Sequence, residues 1–236
     1  MNKFQQYTQQ WIKKETKKRK ERRALKILSI LKKQYQRSKI ALKFGNAIQL
    51  LVAVMLSAQC TDKKVNEVTA TLFKKYKSAG DFASADQKTF EREIYPTGFY
   101  RVKARNIIKA SRIIQKSFGG KLPKTMEGML SLPGVARKTA NIVLGNAYGI
   151  VEGIAVDTHV GRLAQRLGLS ARTNPKKIEE DLMSLYPKKE WFNLTYKLID
   201  HGRALCTAKN RKCSPCPLKN ICPSSLASLQ RDNLYS

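Results

Sequence analysis

The sequence predicts an all-α fold, and two observations carry that prediction. Apolar side chains recur every three or four residues along most of the chain, which is the period of amphipathic helices. No segment sustains an alternation of apolar and polar residues, and only residues 154–156 resemble a strand. The 236 residues are 42% apolar and 27% charged, which is typical of a globular chain with one domain or two small ones.

The chain carries a large positive charge, because 46 Lys and Arg against 17 Asp and Glu give a formal net charge of +29. This excess predicts a polyanionic partner, either nucleic acid or an anionic membrane surface. The longest apolar run, Leu50 to Leu56, is far shorter than the roughly 20 residues that span a bilayer. The N-terminus lacks the apolar core of a secretory signal. We therefore expect an intracellular protein, nucleoid-associated in a prokaryotic cytoplasm or nuclear in a eukaryote.

The first element in chain order is a basic arm, residues 1–23, with nine basic and two acidic residues. Such an arm either binds DNA or only keeps the chain in solution. Helical stripes follow at Leu25, Leu28, Leu31 and Tyr35, over the apolar segment 47–58, at Val65, Val68, Leu72 and Tyr76, at Ile107, Ile108 and Ile114, and at Ile178, Leu182 and Leu185. Asp62 is placed to cap the third of these helices, and Gly80 to end it.

The most informative segment is a predicted helical hairpin over residues 129–147. Pro133 ends the first helix, Gly134 permits a tight turn, and a second helix begins near Arg137. The free backbone N–H groups and the helix dipole at that second N-terminus form a binding site for an anion such as a nucleic-acid phosphate. A plain connector between two helices has the same pattern.

Lys138 falls in the first turn of that second helix. The helix dipole and neighbouring Arg137 both oppose an ammonium ion there and favour the neutral amine, which can attack an electrophilic carbon and form a Schiff base. An ordinary surface charge is the alternative.

Asp157 is the second residue with two interpretations: it is the N-cap of a helix, or a carboxylate that faces Lys138 and steadies a cationic transition state. The two roles are compatible. His159 and His201 are the only histidines, and we expect both to be hydrogen-bonded structural residues.

Four of the five cysteines lie within seventeen residues in the pattern C-x6-C-x2-C-x5-C: Cys206, Cys213, Cys216 and Cys222. This crowding predicts a metal site, and the spacing suits zinc or a cubane iron–sulfur cluster. Four basic residues in the loops between them are suited to phosphate: Lys209, Arg211, Lys212 and Lys219. The fifth, Cys60, is predicted to be a small buried residue.

Together these segments resemble endonuclease III, the family of helix-hairpin-helix DNA glycosylases with AP-lyase activity. The resemblance is carried by LLVAVMLSAQCTDKKVN at 50–66, TGFYRVKARNI at 97–107, LPGVARKTANIVL at 132–144, VDTH at 156–159, HGRALC at 201–206 and the four clustered cysteines. It implies a six-helix barrel domain over 40–151, with the helix-hairpin-helix at about 126–147. A discontinuous [4Fe-4S] cluster domain would be formed by 24–39 and 152–236, with a DNA-binding cleft between the domains.

The same resemblance implies a role for each site residue. Lys138 would be the catalytic nucleophile and Asp157 the catalytic carboxylate, while the four clustered cysteines would bind the iron–sulfur cluster. Gln59 would fill the space left by an extruded nucleotide, and Phe99 would wedge against the opposite strand.

The turn Gly134, Val135 and Ala136 would bind DNA, but Ala136 departs from the family pattern L-P-G-V-G. If that position required a positive φ, alanine would cost about 1 kcal/mol and weaken phosphate binding.

The resemblance implies a monomeric base-excision repair enzyme that acts on double-stranded DNA with damaged bases or abasic sites. It would remove oxidised pyrimidines and cut the strand 3′ to abasic sites by β-elimination. One alternative is a monofunctional glycosylase, which would lack the lysine at 138. Others are a DNA-binding protein with a structural zinc site, and a membrane-surface protein that uses the basic arm.

Overall fold

The computed structural model describes residues 14–225, and within this range the chain forms helices and no β-strand. The helices are α1 Lys17–Gln34, α2 Ala47–Leu56, α3 Asp62–Lys75, α4 Ala79–Ala83, α5 Gln87–Ile94, α6 Tyr100–Ser117, α7 Met126–Leu130, α8 Arg137–Tyr148, α9 Thr158–Arg166, α10 Pro175–Leu185 and α11 Lys188–Ala204. A 3-10 turn over Tyr95–Thr97 joins α5 to α6, and an isolated β-bridge pairs Cys206 with Arg211. The all-α prediction is confirmed. Residues 154–156 are buried but do not form a strand.

The chain divides into two compact units. The contiguous unit is Ile40–Glu152, and the discontinuous unit joins Met1–Lys39 to Gly153–Ser236. Each unit has its own apolar core among the described residues.

Helix α2 is the central element of the contiguous unit. Nine of its ten residues are buried, as expected for a segment that is apolar on all sides. It packs against α3, α6 and α8, while α6 also packs against α4 and α5. This arrangement places the N-terminus of α6 and the hairpin α7–α8 around one central helix.

The connection from α3 to α4 differs from the sequence prediction at both ends of α3. Thr61 caps α3 through its hydroxyl, which accepts a hydrogen bond from the Lys64 N–H, so the prediction of Asp62 as the cap is wrong. The helix also ends at Lys75 and not at Gly80. The reason is that Ser78 begins a new helix, α4, in a capping box with Asp81.

The discontinuous unit is built from α1, α9, α10, α11 and the cysteine segment. Helix α11 packs against α1 and α9, and α10 packs against the same two helices. Helix α1 buries Ala24, Ile27, Leu28 and Leu31. Leu25 was predicted to lie on the buried stripe but is 49% exposed, so the prediction is wrong at this residue.

Helix α1 begins at Lys17, capped by Thr16, and therefore extends into the predicted basic arm. The Arg23 guanidinium explains this early start, because it forms an ion pair with Glu15 at 2.7 Å and donates to the backbone carbonyls of Leu167 and Gly168. Residues 1–13 of the arm lie outside the described range. In the part of the chain that is described, no helix is both long and apolar enough to cross a membrane.

Candidate active site and metal-binding cysteines

The predicted hairpin is formed by α7 and α8, with a tight turn between them at residues 131–136. Gly134 has a positive φ of +78°, and a Cβ on it would lie 2.9 Å from Met55 Cε and 3.0 Å from Asn106 Cβ. A side chain at this position would therefore have to displace the end of Met55 and shift Asn106, and the positive φ would strain it whatever the space. Val135 is buried, so its side chain anchors the turn while its backbone stays near the N-terminus of α8.

Ala136 is the N-cap of α8 and has an extended backbone, with φ −95° and ψ 169°. The cost of about 1 kcal/mol, expected if position 136 required a positive φ, does not arise, because Gly134 and not Ala136 adopts the left-handed conformation. Alanine provides no side-chain cap, so the first turn of α8 keeps N–H groups for an anion.

We expect Gly134→Ala to lower the free energy of unfolding by about 1–3 kcal/mol, because it adds left-handed strain and a steric clash. Ala136→Gly is the matched control, and its effect should stay within about 0.5 kcal/mol. Urea unfolding of the two variants measures both values. Equal destabilisation by the two substitutions would contradict this account of the turn.

Lys138 is the second residue of α8 and is exposed. Among the described residues its ammonium group has neither a hydrogen-bond acceptor nor a carboxylate partner. The buried side of the helix is formed by Ala140, Val143 and Leu144. The amine is therefore held on a rigid helix and remains available to a ligand.

Gln59 and Phe99 share an unusual backbone conformation. They are the only non-glycine residues with positive φ in the described chain, at 54° and 48°. Both side chains are exposed, and Phe99 is 70% accessible. Left-handed backbone at non-glycine residues is strained and is concentrated at functional positions, which agrees with the DNA-probing roles expected for both.

Lys103 is a further site residue that the sequence analysis missed. It is buried, and its ammonium group donates to the Leu56 carbonyl at 2.7 Å and to the Thr97 carbonyl at 2.8 Å. These carbonyls lie just before Gln59 and Phe99, so one lysine ties together the two segments that carry the strained residues. Burial lowers the pKa of Lys103. A signal was present in the sequence, since a lysine four residues before Ile107 falls on the apolar stripe of its helix.

We expect Lys103→Met to lower the free energy of unfolding by about 1–3 kcal/mol for each carbonyl left without a donor, and to slow the reaction with damaged DNA. Lys109→Met, on the exposed side of the same helix, is the matched control and should change stability by less than about 0.5 kcal/mol. Chemical denaturation and single-turnover kinetics test the pair. Wild-type kinetics in Lys103→Met would show that the lysine does not position these segments.

Asp157 lies in the discontinuous unit, where it is the N-cap of α9. Its Oδ1 accepts a hydrogen bond from the Val160 N–H at 2.8 Å, which confirms the predicted capping role. Within the described chain its second carboxylate oxygen has no hydrogen-bond donor. His159 contacts the Arg162 guanidinium through Nδ1 at 3.1 Å.

The four clustered cysteines line one cavity of the discontinuous unit, together with Leu163, Leu167, Leu205 and Leu218. Burial raises the pKa of the Cys222 thiol to about 12 and also raises the pKa of Cys216. Thiols with such a raised pKa lose their protons readily only when a metal binds the sulfur. In residues 14–225, no three His, Cys, Asp or Glu side chains are grouped tightly enough to hold a single ion. Four thiols around one cavity are ligands of the kind that bind an iron–sulfur cluster or a structural zinc ion.

Two polar groups contact the sulfur atoms in this cavity. The Arg166 guanidinium donates to Cys206 Sγ at 3.2 Å, and His201 Nε2 lies 3.6 Å from Cys216 Sγ. On the other side of its ring, His201 Nδ1 lies 3.1 Å from the Tyr35 hydroxyl. Burial lowers the pKa of His201 to about 4, so the ring is neutral, and one of its two nitrogens donates a hydrogen bond while the other accepts one. His201 is thus a hydrogen-bonded structural residue.

The loops that carry the cysteines are braced by two of the predicted basic residues. Arg211 donates to the Ser224 carbonyl at 3.0 Å, and Lys219 donates to the Ser214 carbonyl at 2.9 Å. Lys209 and Lys212 are exposed. Cys60, in the contiguous unit, is partly buried against that unit's core.

Comparison with known proteins relates this site to one family. Residues 52–188 match the model of the HhH-GPD superfamily base excision DNA repair protein. Endonuclease III from Synechocystis is 51% identical over 209 residues, which cover 89% of this chain and 95% of that protein.

Two solved structures are also similar to this chain. One is a non-covalent endonuclease III–DNA complex, with a TM-score of 0.83 and 36% identity over 90% of this chain and 98% of that one. The other is a trapped endonuclease III–DNA covalent intermediate, an estranged-adenine complex, with a TM-score of 0.81 and 37% identity over 89% and 98% of the two chains. The chain therefore belongs to the endonuclease III family within the HhH-GPD superfamily of base-excision DNA repair proteins.

Proposed function

We propose that this protein excises oxidised pyrimidines from duplex DNA and cuts the strand 3′ to the resulting abasic site, with Lys138 as the nucleophile. Its general activity follows from its family: it is a bifunctional DNA glycosylase and AP lyase of base-excision repair. The bacterial relatives support a place in a bacterial cytoplasm, and we expect the protein to act on DNA as a monomer.

The observation that carries the proposal is an exposed lysine in the first turn of α8, directly after the Gly134 turn. The turn and the uncapped helix N-terminus bind a phosphate, which holds the DNA backbone beside Lys138. A lysine at this place explains how a covalent DNA intermediate, as trapped for the similar structure, can form on this chain.

The reaction begins with the neutral Lys138 amine, which attacks C1′ of the damaged nucleotide and breaks the bond to the base. The base leaves with the electron pair and takes up a proton, while Asp157 stabilises the positive charge that develops on the sugar. The sugar ring then opens to a Schiff base between Lys138 and C1′. This cation acidifies the C2′ proton.

Loss of that C2′ proton drives β-elimination, in which the C3′–O3′ bond breaks and the phosphate leaves with the electron pair. Hydrolysis of the Schiff base then releases an unsaturated aldehyde on one DNA end and regenerates the Lys138 amine. No oxidant or reductant is consumed.

Access to C1′ requires the damaged nucleotide to leave the base stack. Extrusion costs least where pairing is already impaired, which favours damaged over intact sites. Gln59 takes the space of the extruded base and Phe99 wedges against the opposite strand, and their strained backbones are held in place by Lys103.

We assign Cys206, Cys213, Cys216 and Cys222 as ligands of a [4Fe-4S] cluster. When bound, the cluster supplies four iron–thiolate bonds that fix the 206–222 loops. The four thiols on one apolar cavity, with the Arg166 guanidinium donating to Cys206 Sγ and His201 Nε2 in contact with Cys216 Sγ, support this assignment. With these loops fixed, the exposed Lys209 and Lys212 are held where they can bind a DNA phosphate.

We expect the purified protein to be yellow-brown and to contain iron and acid-labile sulfide in equal amounts. Cys213→Ser should lose the colour and about 4 kcal/mol or more of unfolding free energy, the contribution of a tightly bound ligand. Cys60→Ser is the matched control and should keep the colour. A colourless wild-type protein that contains zinc would overturn the assignment.

Borohydride trapping on three duplexes tests the proposed function. We expect a covalent adduct with a duplex that contains thymine glycol and with one that contains an abasic site, and none with an undamaged duplex. An adduct with the abasic duplex alone would remove oxidised pyrimidines from the substrate range. No adduct with either damaged duplex, despite an intact cluster and tight DNA binding, would overturn the lyase assignment.

A further inference from the structure

An open groove of about 560 Å³ lies beside the 3-10 turn of the contiguous unit. Its volume falls in the range of small-ligand sites, roughly 300–1,000 Å³. Lys88 and Arg92 line it from α5, Tyr95 from the turn, and Tyr100 and Arg101 from the start of α6. We call it the Tyr95 groove.

Apolar side chains are exposed around this groove to an unusual degree. Three of the five exposed large hydrophobic residues in the described chain fall within residues 95–102, the segment that includes the groove residues Tyr95 and Tyr100: Tyr95 at 63%, Phe99 at 70% and Val102 at 48%. Such a cluster on a surface marks a binding site more often than chance exposure.

The groove presents aromatic faces next to positive charges. The rings of Tyr95 and Tyr100 are in contact, with centroids 4.9 Å apart at an angle of 52°, and the Arg101 guanidinium lies 5.4 Å above the Tyr100 ring. Lys88 and Arg92 are exposed one helical turn apart on α5. Glu91 also lines the groove, and its carboxylate accepts from the Gln87 amide at 2.9 Å.

Exposed aromatic rings flanked by lysine and arginine are what proteins use to bind unpaired nucleotides, because the base stacks on the ring and the phosphate meets the cation. A lipid surface would not need the paired rings, and an acidic peptide would not need an open ring face. In sequence, the groove residues Tyr95 and Tyr100 flank Phe99, which we expect to wedge into the strand opposite the lesion.

We propose that the Tyr95 groove binds an unstacked nucleotide of the strand opposite the lesion, with its base on the Tyr95 ring and its phosphate on Lys88 and Arg92. This inference rests on the proposed function, since it needs a strand that Phe99 has opened. It adds to Phe99 a further contact with the opposite strand, which recognises the disrupted duplex without touching the damaged base.

Photocrosslinking tests the location directly. Three duplexes each contain a non-cleavable abasic analogue and one 5-iodouracil. The 5-iodouracil lies opposite the analogue in the first duplex, next to that opposite position in the second, and in the damaged strand in the third. We expect a crosslink to Tyr95 only from probes opposite or next to the analogue, identified by peptide mass spectrometry. Crosslinks from the damaged strand alone, or none to this segment, would overturn the proposal.

Binding measurements supply the second test. Tyr95→Ala should weaken binding to the abasic-analogue duplex by about tenfold and leave binding to the undamaged duplex unchanged, whereas Tyr95→Phe should keep wild-type affinity. Lys88→Gln with Arg92→Gln should reduce the dependence of affinity on salt, because fewer phosphates are neutralised. Leu25→Ala, an exposed apolar residue of the other unit, is the control. Equal affinity of wild type and Tyr95→Ala for the abasic-analogue duplex would contradict the proposal that the Tyr95 groove binds a nucleotide.

Trapping on a cleavable abasic duplex separates this inference from the proposed function. If wild type forms the borohydride adduct but Tyr95 neither crosslinks nor affects affinity, the groove assignment fails alone. If wild type forms no adduct, the proposed function fails first.

Discussion

Lys138→Gln should abolish the borohydride adduct with an abasic duplex and slow strand cleavage by about a thousandfold or more. The amide has no nucleophilic amine, so no Schiff base can form and C2′ is not acidified. Because Lys138 is exposed and has no partner in the described chain, its loss should leave the fold intact and DNA affinity within a few-fold of wild type. Trapping gels and fluorescence anisotropy measure the two properties.

Arg137→Gln is the matched control for that experiment, because it removes the same charge from the neighbouring position of α8. We expect Arg137→Gln to keep the adduct and to lose some DNA affinity through a phosphate contact. If Lys138→Gln still forms the adduct at the wild-type rate, another amine is the nucleophile and the assignment is wrong.

Asp157→Asn should slow base excision by about 10²–10⁴-fold while the protein remains as stable as wild type. Asparagine is as good an N-cap as aspartate, so its side-chain oxygen can still accept from the Val160 N–H. It has no charge to stabilise a cationic transition state. The substitution therefore separates the capping role of Asp157 from its chemical role.

Single-turnover excision on a thymine glycol duplex measures the rate, and thermal unfolding measures stability. Asp157→Ala is the comparison, because it removes both the cap and the charge and should also cost about 0.5–2 kcal/mol of stability. If Asp157→Asn excises the base at the wild-type rate, the residue is a helix cap and nothing more.

Positions set by local pattern were predictable from the sequence. Lys138 and Asp157 were predicted at the start of a helix, where the structure places both, whereas their catalytic roles were implied by the resemblance to endonuclease III and stay predictions. The cysteine spacing likewise predicted one metal site, and the four thiols do line one cavity.

Residues whose role depends on contacts between distant segments were not predictable in this way. Lys103 appeared to be one more charge in a basic chain, yet it joins the end of α2 to the turn before α6. The early end of α3 is a different case, because the capping box of Ser78 and Asp81, which starts a new helix before Gly80, is a local signal that the sequence analysis overlooked.

The sequence by itself determined the helical class, the polyanionic partner, the hairpin and the cysteine site, because periodicity, charge and spacing are properties of neighbouring residues. Tertiary structure decided which turn residue must be glycine. Gly134 and Ala136 are both small residues in one loop, but only Gly134 lies against Met55 and Asn106 with a positive φ. The tight turn had already indicated glycine at 134, but the contacts with Met55 and Asn106 come from segments far apart in the chain, and no local pattern contains them.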